Sequence, residues 1–270
     1  MRQYGHHIRG LVDQARSTAR EQGLGAVAIK AVRYPLKPLF VQGALNALRR
    51  GRRELRSLEG LFEFVNGFNF RGIAITSWQK KPEIVSLLRL LECEQPRTVV
   101  EIGTATGGTL FMLTQIAPAD ATIISVDLPG GRLGGEMSSE RHRYPLWRAR
   151  LYRGFARDQQ TVHVIRADSH DPSTVEAVGR RLPEAKIDFL FIDGDHSYGG
   201  VRRDFELYSP LVRKGGVVAF HDIVPGGPGK QGDPGDVPVF WEKVKARHAV
   251  EAEFVEDWEW GSCGIGIIRL

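Results

Sequence analysis

Five short runs rich in Val, Ile and Phe in this 270-residue chain end on groups able to do chemistry. Glu101, Asp127, Asp168, Asp193 and the pair His221-Asp222 each stand at or just past the end of such a run. Carboxylates gathered on one rim can hold a hard divalent cation, accept from paired hydroxyls or receive an ammonium group. His196, in the run Asp193-Gly194-Asp195-His196, adds an imidazole able to take a proton near neutral pH. One acid after a strand is an ordinary helix cap. Five in succession point instead to a shared crevice.

The elements that must position these groups can be read around residues 98–108. Thr98 to Ile102 is a β-branched run of the kind buried on both faces of a parallel sheet. Gly103, Gly107 and Gly108 then bracket a tight turn, and an apolar helical pattern follows at once through Leu110, Phe111, Leu113 and Ile116. Such a turn lets a ligand approach the backbone, and the helix start offers free N–H groups. The spacing is neither the dinucleotide fingerprint nor a P-loop. Glu101 would repel a pyrophosphate and suits an ammonium beside a carboxylate, the amino-acid end of S-adenosylmethionine. An incidental acid in an ordinary β-α turn is the plainer alternative.

Further strands are expected at 121–126, 162–165, 187–192 and 217–220, with two more near 252–255 and 264–268. Helical stretches separate them, including an amphipathic helix over 82–92 and another over 201–212. This alternation predicts right-handed β-α-β crossovers, a parallel sheet, and ligands outside the carboxyl ends of the strands. Residues 1–60 read as helical, with Pro35 and Pro38 interrupting. Phe62, Phe64, Phe68 and Phe70 read as core plugs.

The net charge of +5 is uneven, since residues 1–60 hold 12 Lys and Arg against 4 Asp and Glu. The basic balance therefore belongs to the N-terminal part. Its plainest reading is a packed helix with a solvated basic end; contact with a membrane surface, with another anionic partner or with a second copy stays open, and the net-acidic remainder weakens the case for nucleic acid binding. No run has the roughly 18 apolar residues of a membrane span, and the N-terminus has no signal-peptide apolar block. Two cysteines without metal-binding spacing make a cytoplasmic location the simplest expectation. Cys93 is expected to face the interior of its helix and Cys263 to start a strand, neither with a catalytic role.

On these residues the chain resembles the class I S-adenosylmethionine-dependent methyltransferases. Within that class it is most similar to the metal-dependent sugar O-methyltransferase and cephalosporin-hydroxylase-like group. The likeness rests on Val100-Glu101-Ile102-Gly103 with Gly107-Gly108, Ser125-Val126-Asp127, Ala167-Asp168-Ser169, Phe191 to Tyr198, Gly215-Gly216 and His221-Asp222. It implies an α/β, Rossmann-like fold: a seven-stranded, mostly parallel sheet with helices on both faces and an antiparallel C-terminal strand. This would form a methyltransferase domain over 75–270, preceded by a helical appendage over 1–74. It further implies S-adenosylmethionine held by Glu101, Gly103, Thr104, Gly107, Asp127, Asp168 and Ser169. Asp127 would accept from the ribose hydroxyls. Asp193 and Asp222, with His221 as a further candidate, would hold a divalent cation, usually magnesium. His196 or Asp195 would be the general base. A small-molecule hydroxyl acceptor, such as a glycosylated metabolite, and homo-oligomeric assembly are the implied partners.

Two rivals remain open on sequence. In a nicotinamide-dependent oxidoreductase Asp127 would bind ribose, but G-x-G-x-x-G is missing. A non-catalytic cofactor-binding protein would act through its basic N-terminus. The acceptor pocket is expected from 129–158, from 224–237 and from the Phe62–Phe70 cluster.

Overall fold

A computed structural model describes residues 24–128, 132–133, 136–137, 145–226, 234–259 and 263–270. Seven strands form the main sheet: β1 (Thr98–Ile102), β2 (Thr122–Val126), β3 (Thr161–Ile165), β4 (Ile187–Ile192), β5 (Val212–His221), β6 (Val250–Phe254) and β7 (Ile265–Arg269). Their order is β6-β7-β5-β4-β1-β2-β3. The pairs among β1 to β5 are parallel, and β7 runs antiparallel to both β5 and β6. This is the expected seven-stranded, mostly parallel sheet. The order reverses between β1 and β4, so a crevice opens beyond the carboxyl ends of those two central strands.

The β-branched runs fold this way because each central strand buries both faces. Val99, Ile123, Phe189, Phe191 and Ala219 point into one core, while Val100, Ile124, Leu190, Ile192 and Phe220 point into the other. The first core is covered by α1 (Leu24–Arg52), α2 (Leu58–Gly67), α3 (Lys81–Glu94), α4 (Gly108–Ile116) and α5 (Leu146–Arg153). The second lies under α6 (Pro172–Gly179), α7 (Tyr198–Tyr208) and α8 (Val237–Lys245).

Helix α1 corrects one expectation, since it continues through Pro35 and Pro38 rather than breaking there. Each proline removes one helical hydrogen bond. The tertiary contacts of the later turns offset that loss: Val41, Ala44, Leu45 and Leu48 are all buried in the first core. Gly43 and Gly51 make room on the same helix for the rings of Phe70 and Phe64. Phe64 in turn lies 6.1 Å from Phe111 of α4, and Phe111 lies edge-on to Phe155 at 5.2 Å. These aromatics are core plugs, as expected.

Cys93 is exposed rather than interior, on the face of α3 opposite Leu87, Leu88 and Leu91. The same helix buries Glu83 completely, which its apolar pattern does not show. Glu83 accepts from the backbone N–H of Glu256 at 3.0 Å and of Gly264 at 2.9 Å, fixing the chain on either side of 260–262. Glu83→Gln puts an amide nitrogen against one of those donors. It is expected to destabilise by about 1–2 kcal/mol, read as a thermal midpoint lower by roughly 3–6 °C. An unchanged midpoint would show that the clamp carries no stability.

Among the described residues, no helix is long and apolar enough to cross a membrane.

Candidate functional site

The loop after β1 is held by groups from both sides. Gly103 N–H donates to Val126 O at 2.9 Å, continuing the ladder with β2. Asp127, just past β2, turns back under the loop and accepts from the N–H of Thr104 at 3.1 Å and of Ala105 at 2.7 Å. The Thr104 and Ser125 hydroxyls meet at 2.6 Å. From above, Tyr152 of α5 donates its hydroxyl to Ala105 O at 2.7 Å, and Arg148 reaches Thr106 O at 3.0 Å. Sequence reasoning missed Arg148 and Tyr152. Their only signal was a four-residue spacing on a short helix inside the expected wall segment.

Neither carboxylate oxygen of the fully buried Glu101 has a hydrogen-bond partner. Burial lifts this carboxyl well above the usual range. Burial also raises Asp127, to about 7, against the N–H groups of Ala105 and Thr104 that favour its charge. A buried acceptor left open beside a glycine turn is what a cationic ligand group would satisfy.

The second half of the site stands across the crevice. Asp193 N–H donates to Ile102 O at 2.9 Å, which puts the end of β4 against the end of β1. Asp193 Oδ1 lies 3.0 Å from His221 Nδ1 and 3.5 Å from His196 Nε2. Its Oδ2 accepts from Gln79 Nε2 at 2.8 Å. His196 Nδ1 is 3.2 Å from Asp222 Oδ2, and His221 Nδ1 is 3.3 Å from Asp222 Oδ1. Asp222 holds a left-handed backbone, with φ at 64°, a strained setting more common at functional sites than elsewhere. Burial disfavours charge on Asp193, but His221 and His196 outweigh it and bring the carboxyl down to about 2. Burial likewise opposes the His196 imidazolium, yet Asp193 and Asp222 raise it to about 9.

Cys263 joins this cluster through sheet register. Ile265 of β7 pairs with His221 of β5, and Val224 N–H donates to Cys263 O at 3.1 Å. The thiol interacts with His221 and Asp222, and burial raises its pKa. One ligand atom each from Asp193, His196 and Asp222 falls within 4.8 Å of the others, and so does one each from His221, Asp222 and Cys263. Two carboxylates, two imidazoles and a thiol so disposed fit a divalent cation.

Other predicted residues are turned to local work. Asp195 Oδ1 accepts from Ser197 N–H at 2.9 Å, and its side chain fills the space beside Gly200. Asp168 Oδ1 accepts from His170 N–H at 2.9 Å. The Ser169 carbonyl accepts from the Tyr208 hydroxyl at 3.0 Å. The structure thus brings His196, Asp193, His221 and Asp222 together and leaves Asp195 at the start of α7. Asp236 N–H donates to His196 O at 2.8 Å, so the end of the 224–237 loop lies over the cluster. Residues 227–233, and 129–131, 134–135 and 138–144 of the expected wall, lie outside the described residues.

Residues 100–223 match a family model described as a methyltransferase domain. They carry the class I methyltransferase fold. The fold recurs in solved structures of low identity. An O-methyltransferase from Bacillus cereus in complex with SAH is 17% identical, with a TM-score of 0.51 over 89% of this chain and 97% of that one. The SAH-bound Podospora anserina methyltransferase PaMTH1 is 13% identical, with a TM-score of 0.50 over 78% of this chain and 86% of that one. At such identities the likeness is one of fold. Among curated relatives, an uncharacterized protein R132 of Acanthamoeba polyphaga mimivirus is 34% identical over 125 residues, 46% of this chain and 51% of that protein. Another, y4gI of Sinorhizobium fredii, is 25% identical over 141 residues, 49% of this chain and 14% of its own length. The match therefore spans about half of the first relative's length and a small part of the second's.

Proposed function

We propose that the protein transfers the methyl group of S-adenosylmethionine to a hydroxyl oxygen of a small molecule, such as a glycosylated metabolite, with a divalent cation at the Asp193–Asp222 centre. The observation carrying this reading is that the glycine loop and the carboxylate–imidazole cluster face each other across the β1/β4 switch point. Glu101 would receive the ammonium of the methionine moiety, satisfying its open carboxylate. Thr104, with Gly103 and Gly107, would line that moiety. Asp127 would accept from the ribose hydroxyls, and the Asp168-Ser169 turn would border the adenine.

The reaction is an in-line displacement. The acceptor oxygen forms a bond to the methyl carbon, the carbon–sulfur bond breaks, and the electron pair stays on sulfur to give S-adenosylhomocysteine. Holding the two reactants in line is a large part of the catalysis. The hydroxyl proton must leave, and His196, whose nitrogens face Asp193 and Asp222, would take it rather than Asp195. Alone, those two carboxylates keep His196 protonated at neutral pH. A bound divalent cation would neutralise them, polarise the acceptor hydroxyl and release the imidazole to its neutral form. Asp193, Asp222 and His221 would be its ligands; magnesium is the ion that the family resemblance implies.

Titration with S-adenosylhomocysteine tests the cofactor assignment, and methyl release to a panel of hydroxylated acceptors tests the reaction. Micromolar-scale binding, about −8 kcal/mol, is expected. Asp127→Ala should weaken it at least tenfold. Binding of NADH in place of the homocysteine ligand would overturn the reading.

Asp127 also predicts a pH dependence. Burial raises its pKa to about 7, so the ionised form that accepts from ribose hydroxyls is complete only above that pH. Affinity should hold above about pH 8 and fall by about tenfold per unit below pH 7. Asp127→Asn should bind more weakly and with a flat profile over the same range. A wild-type profile as flat as the variant's would remove Asp127 from the ribose site.

A further inference from the structure

The donor set of the acidic centre is wrong for magnesium. Magnesium takes oxygen ligands in near-octahedral geometry, whereas nitrogen and sulfur donors select borderline first-row ions. Here two imidazoles and a thiol stand among only two carboxylates. We infer that Cys263 is a metal ligand and that the centre takes a borderline transition ion of the zinc or iron(II) class, bound by His221, Asp222 and Cys263 with Asp193 beside them. This rests on the methyltransferase reading for its role in catalysis but not for the binding itself.

Three independent features support it. First, spacing: ligand atoms on a tetrahedral ion with bonds of about 2.0–2.3 Å sit about 3.3–3.7 Å apart. His221 Nδ1 is 3.0 Å from Asp193 Oδ1 and 3.3 Å from Asp222 Oδ1, close to that spacing, and Cys263 brings a ligand atom within 4.8 Å of those of His221 and Asp222. Second, burial: His221 and Asp222 are each only 5% exposed, which sets an imidazole and a carboxylate together in an interior with little water. So polar an interior needs a compensating ion or ligand. Third, rigidity: the peptide joining Cys263 to Gly264 is held at both of its polar groups. Its carbonyl accepts from Val224 N–H at 3.1 Å, and the next N–H, of Gly264, donates to the buried Glu83 carboxylate at 2.9 Å. Gly264, with φ at 71°, turns the chain so that Cys263 faces the end of β5.

A thiol here also restricts the ion chemically. Thiolate ligation displaces a proton, so binding of the ion should release protons and strengthen as pH rises.

The test uses the full chain, stripped of metal and dialysed against zinc, cobalt(II) or magnesium alone. About one equivalent of zinc or cobalt per chain is expected, retained in excess magnesium. The cobalt-loaded protein should show a thiolate-to-cobalt charge-transfer band. Cys263→Ser should lose that band, keep the weaker ligand-field bands and bind zinc at least tenfold less tightly. Titration with S-adenosylhomocysteine, run on both proteins, should give the same affinity and so show that the variant is folded. Preferential magnesium uptake, or a charge-transfer band that survives in Cys263→Ser, overturns the inference. Failure of the wild type to bind the homocysteine ligand overturns the methyltransferase reading instead, and leaves the metal result standing.

Discussion

Replacing Gly103 by alanine is expected to lower the thermal midpoint by roughly 8–15 °C, the largest stability effect of any single methyl group in the β1 loop. Gly103 has φ at 90°, a backbone region that costs a side chain about 1–3 kcal/mol. A Cβ there would also fall on the carbonyl of Asp193, which is backbone and cannot swing aside. Making room means parting the ends of β1 and β4, where Asp193 N–H meets Ile102 O at 2.9 Å. Overpacking of this kind adds about 1–3 kcal/mol. The sum is roughly 4 kcal/mol, and a chain of this size loses about 2–4 °C per kcal/mol. The same parting moves Asp193 away from His221 and Gln79, so any soluble fraction should bind both cofactor and metal poorly. Gly179→Ala is the control: nothing lies within 4 Å of that position, and it ends a helix. It should leave the midpoint unchanged or slightly raised. Equal midpoints for the two variants would show that the loop and β4 are not in the contact described.

That contact shows what could be read from the sequence and what could not. The three loop glycines pointed to a cradle for a ligand, yet each is also required by the protein itself. Gly103 abuts Asp193, Gly107 with φ at 87° abuts the Tyr152 ring, and Gly108 lies under the backbone of 75–77. A glycine pattern reports that something comes close, not what it is. The central strands were legible because each buries two faces and so carries a continuous apolar run. Strand β5 begins five residues before its apolar run, at Val212, and its pairing with β4 shifts register across this polar start, which holds Arg213 and Lys214. The rim of acids was legible because parallel topology sends all carboxyl ends to one side. The roles of Asp195 and Ser169 were not, since an acid or hydroxyl at a helix start looks the same whether it serves a ligand or a nearby N–H. Cys263 was invisible for another reason: its place depends on the register between β7 and β5, some forty residues apart in sequence. Glu83 was hidden similarly, by partners more than 170 residues away.

Asp222→Asn should cut methyl transfer by at least 10³-fold while changing affinity for S-adenosylhomocysteine by less than about threefold. The substitution suits this position because asparagine tolerates the left-handed backbone that Asp222 adopts, so shape and fold are kept and only the charge is removed. Asp222 faces His196 through Oδ2 at 3.2 Å and His221 through Oδ1 at 3.3 Å. Without its charge the centre loses one of two carboxylates, and a cation held there should bind far less tightly. The acceptor hydroxyl then loses its polarisation, a contribution of about 4 kcal/mol to the barrier for a 10³-fold effect. His196 changes as well, since with Asp222 neutral only Asp193 favours its protonated form and its pKa should fall from about 9. The residual activity of Asp222→Asn should therefore reach its plateau at lower pH than that of metal-free wild type. The cofactor half does not share these groups: Glu101, Asp127 and the 103–108 loop lie on β1 and β2, so cofactor affinity should survive. Loss of rate and cofactor binding together would mean that Asp222 supports the fold of the crevice rather than its chemistry. Full rate in Asp222→Asn would remove the cation from the reaction and leave His196 to act on proton affinity alone.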